Sequence, residues 1–471
     1  MAGMSVNTGL ISGIDYATMI DQLMQVEANP QTLLNKQLSA TKADAAAYRA
    51  VNTRFEALRT AAAALGNDAT WNAAKATSSS STVAASAGAG AAAGSVTFTV
   101  DTLAAAHSQR SNATFTVPAG QTAKDVDFGA TSLTVSVNGA AMPAIDLDTD
   151  GSGTTDLTEA AAAINARTDL GLTANLVQVA PNTYRLQVAT KTSGAAGKFE
   201  LGGGAGFTTL TEAADAELVI GSGPGSFSVV STTNTFAGLL PDSSITVSKA
   251  GETATVTVAR DPDAVAGKVQ ALVDTANGLL DSVTSYTDTK SETALLKGDS
   301  TLRDLAGRIL DIVSNAVGGT SASVAGLQLT RDGKFTFDKA KFTAKLASDP
   351  AVVRDLFSKT NLVSTGIDGV AGNADDVTAP VGIAAQLEAL AKSASDTTTG
   401  SLVLLATSQD TLARDLTDRI ANWDIRLELR RATVTAQFTA MEKALGTMQN
   451  QASWLSSQIA GLPSWSQSAK S

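Results

Sequence analysis

The sequence predicts an α+β, multi-domain protein: a helical bundle or coiled coil formed by the two chain ends and the helices at 262–320, with mostly antiparallel β-sheet domains inserted between them. Three observations carry this prediction. Apolar residues recur every three or four positions at both ends, the helical period. Between residues 95 and 258 they alternate every second position, the strand period. The chain has 471 residues and is 44% hydrophobic, enough for two to four separate cores.

Taken in order, Asp15 opens a first helix whose apolar face is Ile20, Leu23 and Met24. Asn29-Pro30 ends it, because proline disfavours helical geometry in the preceding residue. Pro30 suits the first position of a new helix with Asn29 as its N-cap. That second helix carries a seam from Leu38 through Thr41, Ala45, Tyr48, Val51, Phe55, Leu58 and Ala62 to Leu65, and Gly66-Asn67 stops it.

In the middle, alternating runs at 95–100, 133–137, 184–188, 226–230, 244–247 and 254–258 read as strands bounded by Gly, Asn and Pro. None of the four tryptophans falls among them. Residues 84–94, rich in Ala and Gly, read as a flexible lead-in. One helix interrupts the strands at 156–166, with Leu157, Ala160, Ala161 and Ile164 on one face.

Helical spacing returns at 262–286 and at 302–317, where Leu305, Ile309, Ile312 and Val313 share a face. A hairpin is written in 327–337, with Arg331-Asp332-Gly333-Lys334 as its turn. Ser348-Asp349-Pro350 opens a short helix through Phe357. From Val434 the apolar positions run Phe438, Met441, Leu445, Met448, Ala452, Leu455 and Ile459, alternating four and three. Leu416, Ile420, Trp423 and Leu427 continue the pattern upstream, with a stutter at Arg430-Arg431. A helix from Leu412 to Ile459 is about 70 Å long at 1.5 Å per residue. One compact domain cannot bury that length, so it needs partner helices from this chain or from others.

The domains this order implies are 1–30 with 440–471 as a terminal helical segment and coiled-coil end, and 31–75 with 262–439 as a helical stalk. Residues 76–115 with 217–261 make a first β domain, 116–216 a second with one helix, and 326–357 a hairpin with a short helix.

Composition excludes several functions. Cysteine is absent, so there is no catalytic thiol, thiolate metal site or disulfide. His107 is the sole imidazole and reads as a plain strand-end residue. Between residues 76 and 260 there are 8 basic and 15 acidic residues, a net of −7 that argues against nucleic acid. Residues 31–65 carry 5 basic and 2 acidic residues, a net of +3. No run approaches the ~18 apolar residues of a membrane span, and residues 1–21 lack the pattern of a cleaved secretory signal. The expected protein is therefore cytosolic or exported by a route that reads no such signal, with no membrane partner.

Several segments together resemble the flagellar filament-capping (hook-associated protein 2) family. They are Gly9-Leu10-Ile11-Ser12-Gly13-Ile14-Asp15, Met19 to Met24, Glu27-Ala28-Asn29-Pro30, Ser231 to Phe236 leading into 239–247, the helix from Asp261 with Asn277, Gly326-Leu327 with the hairpin, and Gln437 to Gln451. Each is a weak motif, and their order and spacing make the match specific. Ile11 and Ile14 depart conservatively from the family's usual residues. The resemblance implies a non-enzymatic structural protein without cofactor, secreted through the flagellum's own channel. It would form an oligomer, commonly a pentamer, at the filament tip, retaining flagellin and promoting its polymerisation. It also implies hook-associated junction proteins and an export chaperone at the C-terminal helix as partners.

The candidate contact residues toward flagellin or neighbouring subunits are Ile20, Leu23, Met24, Leu445, Met448, Leu455 and Ile459. The bland reading is an ordinary intramolecular bundle. Asp146-Leu147-Asp148-Thr149-Asp150-Gly151 has the alternating carboxylates of a calcium loop, but Leu157 occupies the twelfth position and Glu159 comes two residues late. It reads as an acidic turn whose Asp156 caps the next helix, and 368–376 is a second acidic, Gly-rich loop. Residues 202–206 lack the ending of a phosphate loop. Other functions consistent with the sequence are a surface adhesin binding host glycans or mucin through 76–260, and another axial protein such as flagellin or a junction protein.

Overall fold

The first helix begins where the sequence supplies a cap. In the computed structural model, which describes residues 15–204, 206–315, 317–364 and 377–461, the Asp15 carboxylate accepts the Thr18 amide at 3.1 Å and opens α1 (Tyr16–Glu27). Only Ala28 separates it from α2 (Asn29–Gly66). Ala28, not Asn29, accepts the first bond of α2, from the Thr32 amide at 3.0 Å. Pro30 thus sits in the first turn, where a missing N–H costs nothing. The expected seam of α2 faces inward: Tyr48, Val51, Phe55, Leu58 and Leu65 are buried, whereas Leu38 is half-buried. A single turn, α3 (Asp68–Trp71), follows, capped by Asn67.

The chain divides into two compact units, Met1–Gly66 with Val269–Ser471, and Asn67–Lys268. The second unit holds two cores. In one, a five-stranded antiparallel sheet has the order Ala74–Ser78, Thr253–Arg260, Gly94–Thr102, Ala216–Ile220, Phe227–Ser231. A three-stranded sheet of Thr235–Ala237, Ser243–Val247 and Val83–Ala87 accompanies it. Phe98, Val100, Leu218, Phe236, Ile245 and Val256 fill the space. The Ala-rich lead-in expected at 84–94 is therefore partly strand. Val83, just before it, is buried, and the strand Val83–Ala87 pairs in register with Ser243–Val247.

The other core is formed by the long hairpin of Leu172–Ala180 and Thr183–Thr190, the strands Ser132–Val137 and Phe199–Gly202, and α4 (Leu157–Ala166). Asp156 caps α4 as the spacing predicts, accepting the Glu159 amide at 2.8 Å. Leu157, Ala160, Ala163 and Ile164 face inward, so Ala163 takes the place expected for Ala161.

In the first unit, α5 (Pro262–Thr287), from Val269 onward, buries Val269, Leu272, Val273, Leu279, Leu280 and Val283. The next helix, α6 (Ser300–Ser314), stops before the expected Val317, since Asn315 already has extended backbone at φ −77°, ψ 143°. The hairpin Leu327–Leu329/Phe335–Phe337 is clamped by Asn277, which donates to the Phe335 carbonyl and accepts its amide, both at 2.8 Å. Two short helices follow, α7 (Lys339–Ser348) and α8 (Pro350–Ser358); α7 has no counterpart among the expected elements. Rings of Phe337, Phe342 and Phe357 meet at 5.3 and 6.0 Å.

The unit closes with α9 (Ile383–Ser395) and α10 (Ser401–Ala460). Asp396 ends the first by accepting the Thr398 and Thr399 amides at 3.0 and 2.8 Å. Gly400 lets the chain double back, since a Cβ there would lie 2.4 Å from the Asp396 carbonyl. The last helix has 60 residues, about 90 Å at 1.5 Å per residue. No helix among the described residues is long and apolar enough to cross a membrane.

Candidate docking surface on the terminal helices

The first and last helices form an antiparallel pair. As residue numbers rise along α1 and α2 they fall along α10. The Tyr16 hydroxyl donates to Glu442, Arg431 pairs with Asp21, and Arg430 Nε meets Glu27 Oε1 at 3.1 Å. Further along, Gln31 donates to Asp424 and Arg49 pairs with Asp410. The rings of Tyr16 and Phe438 lie 4.9 Å apart, and Ile20 is only 6% exposed. The Arg430-Arg431 stutter now has a structural reading: it is where the apolar seam yields to two ion pairs that fix the register. These pairs are largely exposed, so each contributes at most about 1 kcal/mol. Most of the docking energy therefore comes from Ile20 and the aromatic pair.

Deeper in the same unit, α2 is tied to the start of α6. The Tyr48 hydroxyl donates to Asp299 Oδ2 at 2.6 Å, and Asp299 Oδ1 caps α6 through the Leu302 amide at 2.8 Å. Burial, reinforced by the Asp299 carboxylate, pushes the Tyr48 phenol well above its usual pKa. At the entrance to α1, the Thr18 hydroxyl and amide hold the Asp15 carboxyl below its ordinary value.

The seven candidate contact residues divide. Ile20 is buried within the chain at 6% exposure. Met24 and Leu445 are half-buried. Leu23, Met448, Leu455 and Ile459 are exposed at 39, 63, 54 and 61%. Helical geometry explains the split: three residues on, Leu23 is turned about 60° around α1 from Ile20, enough to move from the buried edge toward solvent. Reasoning from spacing alone missed that outer seam, made by Met19, Leu23, Val26 and Leu33. Its signal was present as a four-three rhythm, hidden by Pro30.

Beyond Leu445, α10 runs on to Ala460 with Met448, Leu455 and Ile459 exposed, and Trp454 with them at 65%. The signature residues 9–14 and the second acidic loop, 368–376, lie outside the described residues.

The first acidic loop is a self-capped turn. Oxygens of Asp148, Asp150 and Glu159 lie within 4.8 Å of one another. They are used by the loop's own donors. Glu159 Oε1 accepts the Thr149 amide and hydroxyl and the Asp150 amide at 2.6, 2.8 and 3.1 Å. Asp148 takes the Ser152 and Gly153 amides, each at 2.9 Å. Bonds from Ser152 hold the Asp150 carboxyl below its usual range. His107 stands at a strand end, just before Ser108–Ser111, and is buried there: it is 1% exposed, edge-on to Phe199 at 4.9 Å, and its Nδ1 accepts the Ala213 amide at 3.2 Å. The glycine run at 202–204 leads, after Gly206, into the strand Phe207–Thr211, so no helix N-terminus stands there to hold a phosphate.

Comparison with known proteins points one way. A family model described as the flagellar hook-associated protein 2 C-terminus matches residues 213–450, about half the chain, and one described as the N-terminus matches 12–107. A lateral flagellar hook-associated protein 2 of Vibrio parahaemolyticus is 29% identical over 51% of this chain and 58% of its own length. A B-type flagellar hook-associated protein 2 of Pseudomonas aeruginosa is 24% identical over 98% of both chains. Among solved structures, the D1-D2-D3 domains of the flagellar cap protein from Escherichia coli align with a TM-score of 0.54 at 20% identity, covering 77% of this chain and 99% of that one.

Proposed function

Because this chain belongs to the flagellar hook-associated protein 2 family, we propose that it caps the distal end of a bacterial flagellar filament as a secreted, non-enzymatic structural protein. In this reading copies of the chain form an oligomeric plate that retains exported flagellin and promotes its polymerisation. The observation that supports it most is the paired α1 and α10, beyond which Met448, Trp454, Leu455 and Ile459 of the α10 tip are 54–65% exposed. Monomeric proteins rarely leave such a stretch uncovered unless another protein covers it. Flagellin, the junction proteins beneath it and an export chaperone on the α10 tip are the partners this role requires. Five copies is the ring size expected from the family resemblance.

The test is electron microscopy of filaments grown from flagellin in the presence of the purified chain and of a variant lacking residues 1–30. The intact chain should form rings or plates at filament ends. The deletion should lose them while its middle unit keeps its strand signal in circular dichroism. A deletion variant that still caps would remove the basis of the proposal. Long filaments of the chain alone would instead identify a filament subunit.

A further inference from the structure

Where α1 and the start of α2 run along α10, they carry an exposed apolar face. Met19, Leu23, Val26 and Leu33 are exposed at 47, 39, 65 and 66%. With Pro30 between the last two, their intervals are four, three, four and three, the rhythm that faces a partner helix in a left-handed coiled coil. A soluble chain that repeats this rhythm on a second face of a helix is built for a third helix.

Among the described residues, one helical segment fits. Read from its end, the α10 tip runs Ile459, Leu455, Ala452, Met448, Leu445, with the same intervals in the same order. Antiparallel, Met19 falls opposite Ile459, Leu23 opposite Leu455, Val26 opposite Ala452 and Leu33 opposite Leu445. Both seams span 14 residue steps, about 21 Å at 1.5 Å per residue.

Charge agrees. Residues 444–460 contain no Asp, Glu, Lys or Arg. On the receiving side, the only charged residues from 17 to 33 are Asp21 and Glu27, and both are already paired to Arg431 and Arg430 of α10. A charged partner helix would find no counter-charge there; this uncharged one needs none.

The tip cannot reach the seam within one chain. Val26 lies level with Arg430, next to its neighbour Glu27, and Ala452 is 22 residues further along the same unbroken helix, about 33 Å away. We therefore propose that residues 445–459 of one copy dock antiparallel on the Met19–Leu33 seam of a second copy. The contact is head-to-tail, and repeating it generates a closed ring or an open helix of subunits. This rests on the oligomeric capping role and specifies which surfaces join.

The absence of cysteine makes the test clean. The double variant Val26→Cys/Ala452→Cys, in the otherwise intact chain, should form disulfide-linked multimers under mild oxidation. Val26→Cys alone and Ala452→Cys alone should stay monomeric on a non-reducing gel. Both positions are exposed, so circular dichroism should match the unmodified chain. Multimers from Val26→Cys alone would show like seam meeting like seam and overturn the proposal. So would a double variant that stays uncrosslinked, whether light scattering finds it oligomeric or monomeric. Scoring the same variants for filament capping separates the two ideas: capping without crosslinking sinks the docking geometry and leaves the function standing.

Discussion

The hold of α1 on α10 should break at a single side chain without disturbing the rest of the unit. Ile20 is the one residue of α1 that is fully buried, at 6% exposure. Replacing it with alanine removes a buried apolar group and leaves a space beside α10, at a cost of about 2–3 kcal/mol. The Tyr16–Phe438 contact, worth about 1 kcal/mol, and two exposed ion pairs of at most about 1 kcal/mol each remain. The bundle around Phe55 and Leu58, both 0% exposed, is untouched. A loss of 2 kcal/mol corresponds to roughly a thirty-fold rise in the population of the detached helix. In Ile20→Ala, amide hydrogen exchange across residues 18–27 should accelerate by that factor, while residues 48–65 exchange at the parent rate and the main melting transition moves by less than about 1 °C. Unchanged exchange in α1 would refute the assignment of Ile20 as the anchor. A fall in the main transition would show that α1 is integral to the bundle, not a separable clasp.

Other expectations concern different parts of the chain. Gly400→Ala should lower the melting temperature of the helical unit by several degrees, at about 1–3 kcal/mol, because the new Cβ meets the Asp396 backbone at 2.4 and 2.5 Å; an unchanged melt would mean the turn has slack. Because the Tyr48 pKa is raised on folding, its contribution is complete below about pH 10, the ordinary phenol value, and declines as pH rises toward the folded value. Melting curves from pH 9 to 11.5 should therefore fall less steeply in Tyr48→Phe than in the parent. Glu159→Ala should destabilise the middle unit by about 1–2 kcal/mol in a denaturant titration, since three loop donors lose their acceptor. That loss should be the same with calcium or with chelator in the buffer, and a calcium-dependent difference would contradict the self-capped reading of the loop.

How far the sequence spoke for itself depended on the kind of pattern. Helices with one repeating seam were legible, because the seam of α2 and the core face of α5 each have a single inward solution. Strands with alternating Val, Phe and Leu were legible for the same reason. Val83–Ala87 was not, since alanine and serine carry too little contrast to show a period, and its pairing with Ser243–Val247 is decided by a partner about 160 residues away. The extra helix α7 was masked by its lysines, with Phe342 alone fully buried. At the terminal surface, spacing located the helices but could not say which of two overlapping seams turned inward. That choice was made by Tyr16, Arg430 and Arg431, polar and aromatic residues on which a hydrophobic period is silent.

The antiparallel pairing also bears on when this chain can fold. Tyr16 and Glu442 are separated by 426 positions, and Arg49 and Asp410 by 361. Closing loops of that size is entropically slow, and no local contact substitutes for it. A chain delivered end first through a narrow conduit would hold its opening segment unzipped until almost the last residues arrived. The molecule's final shape is thereby delayed to the moment of full release.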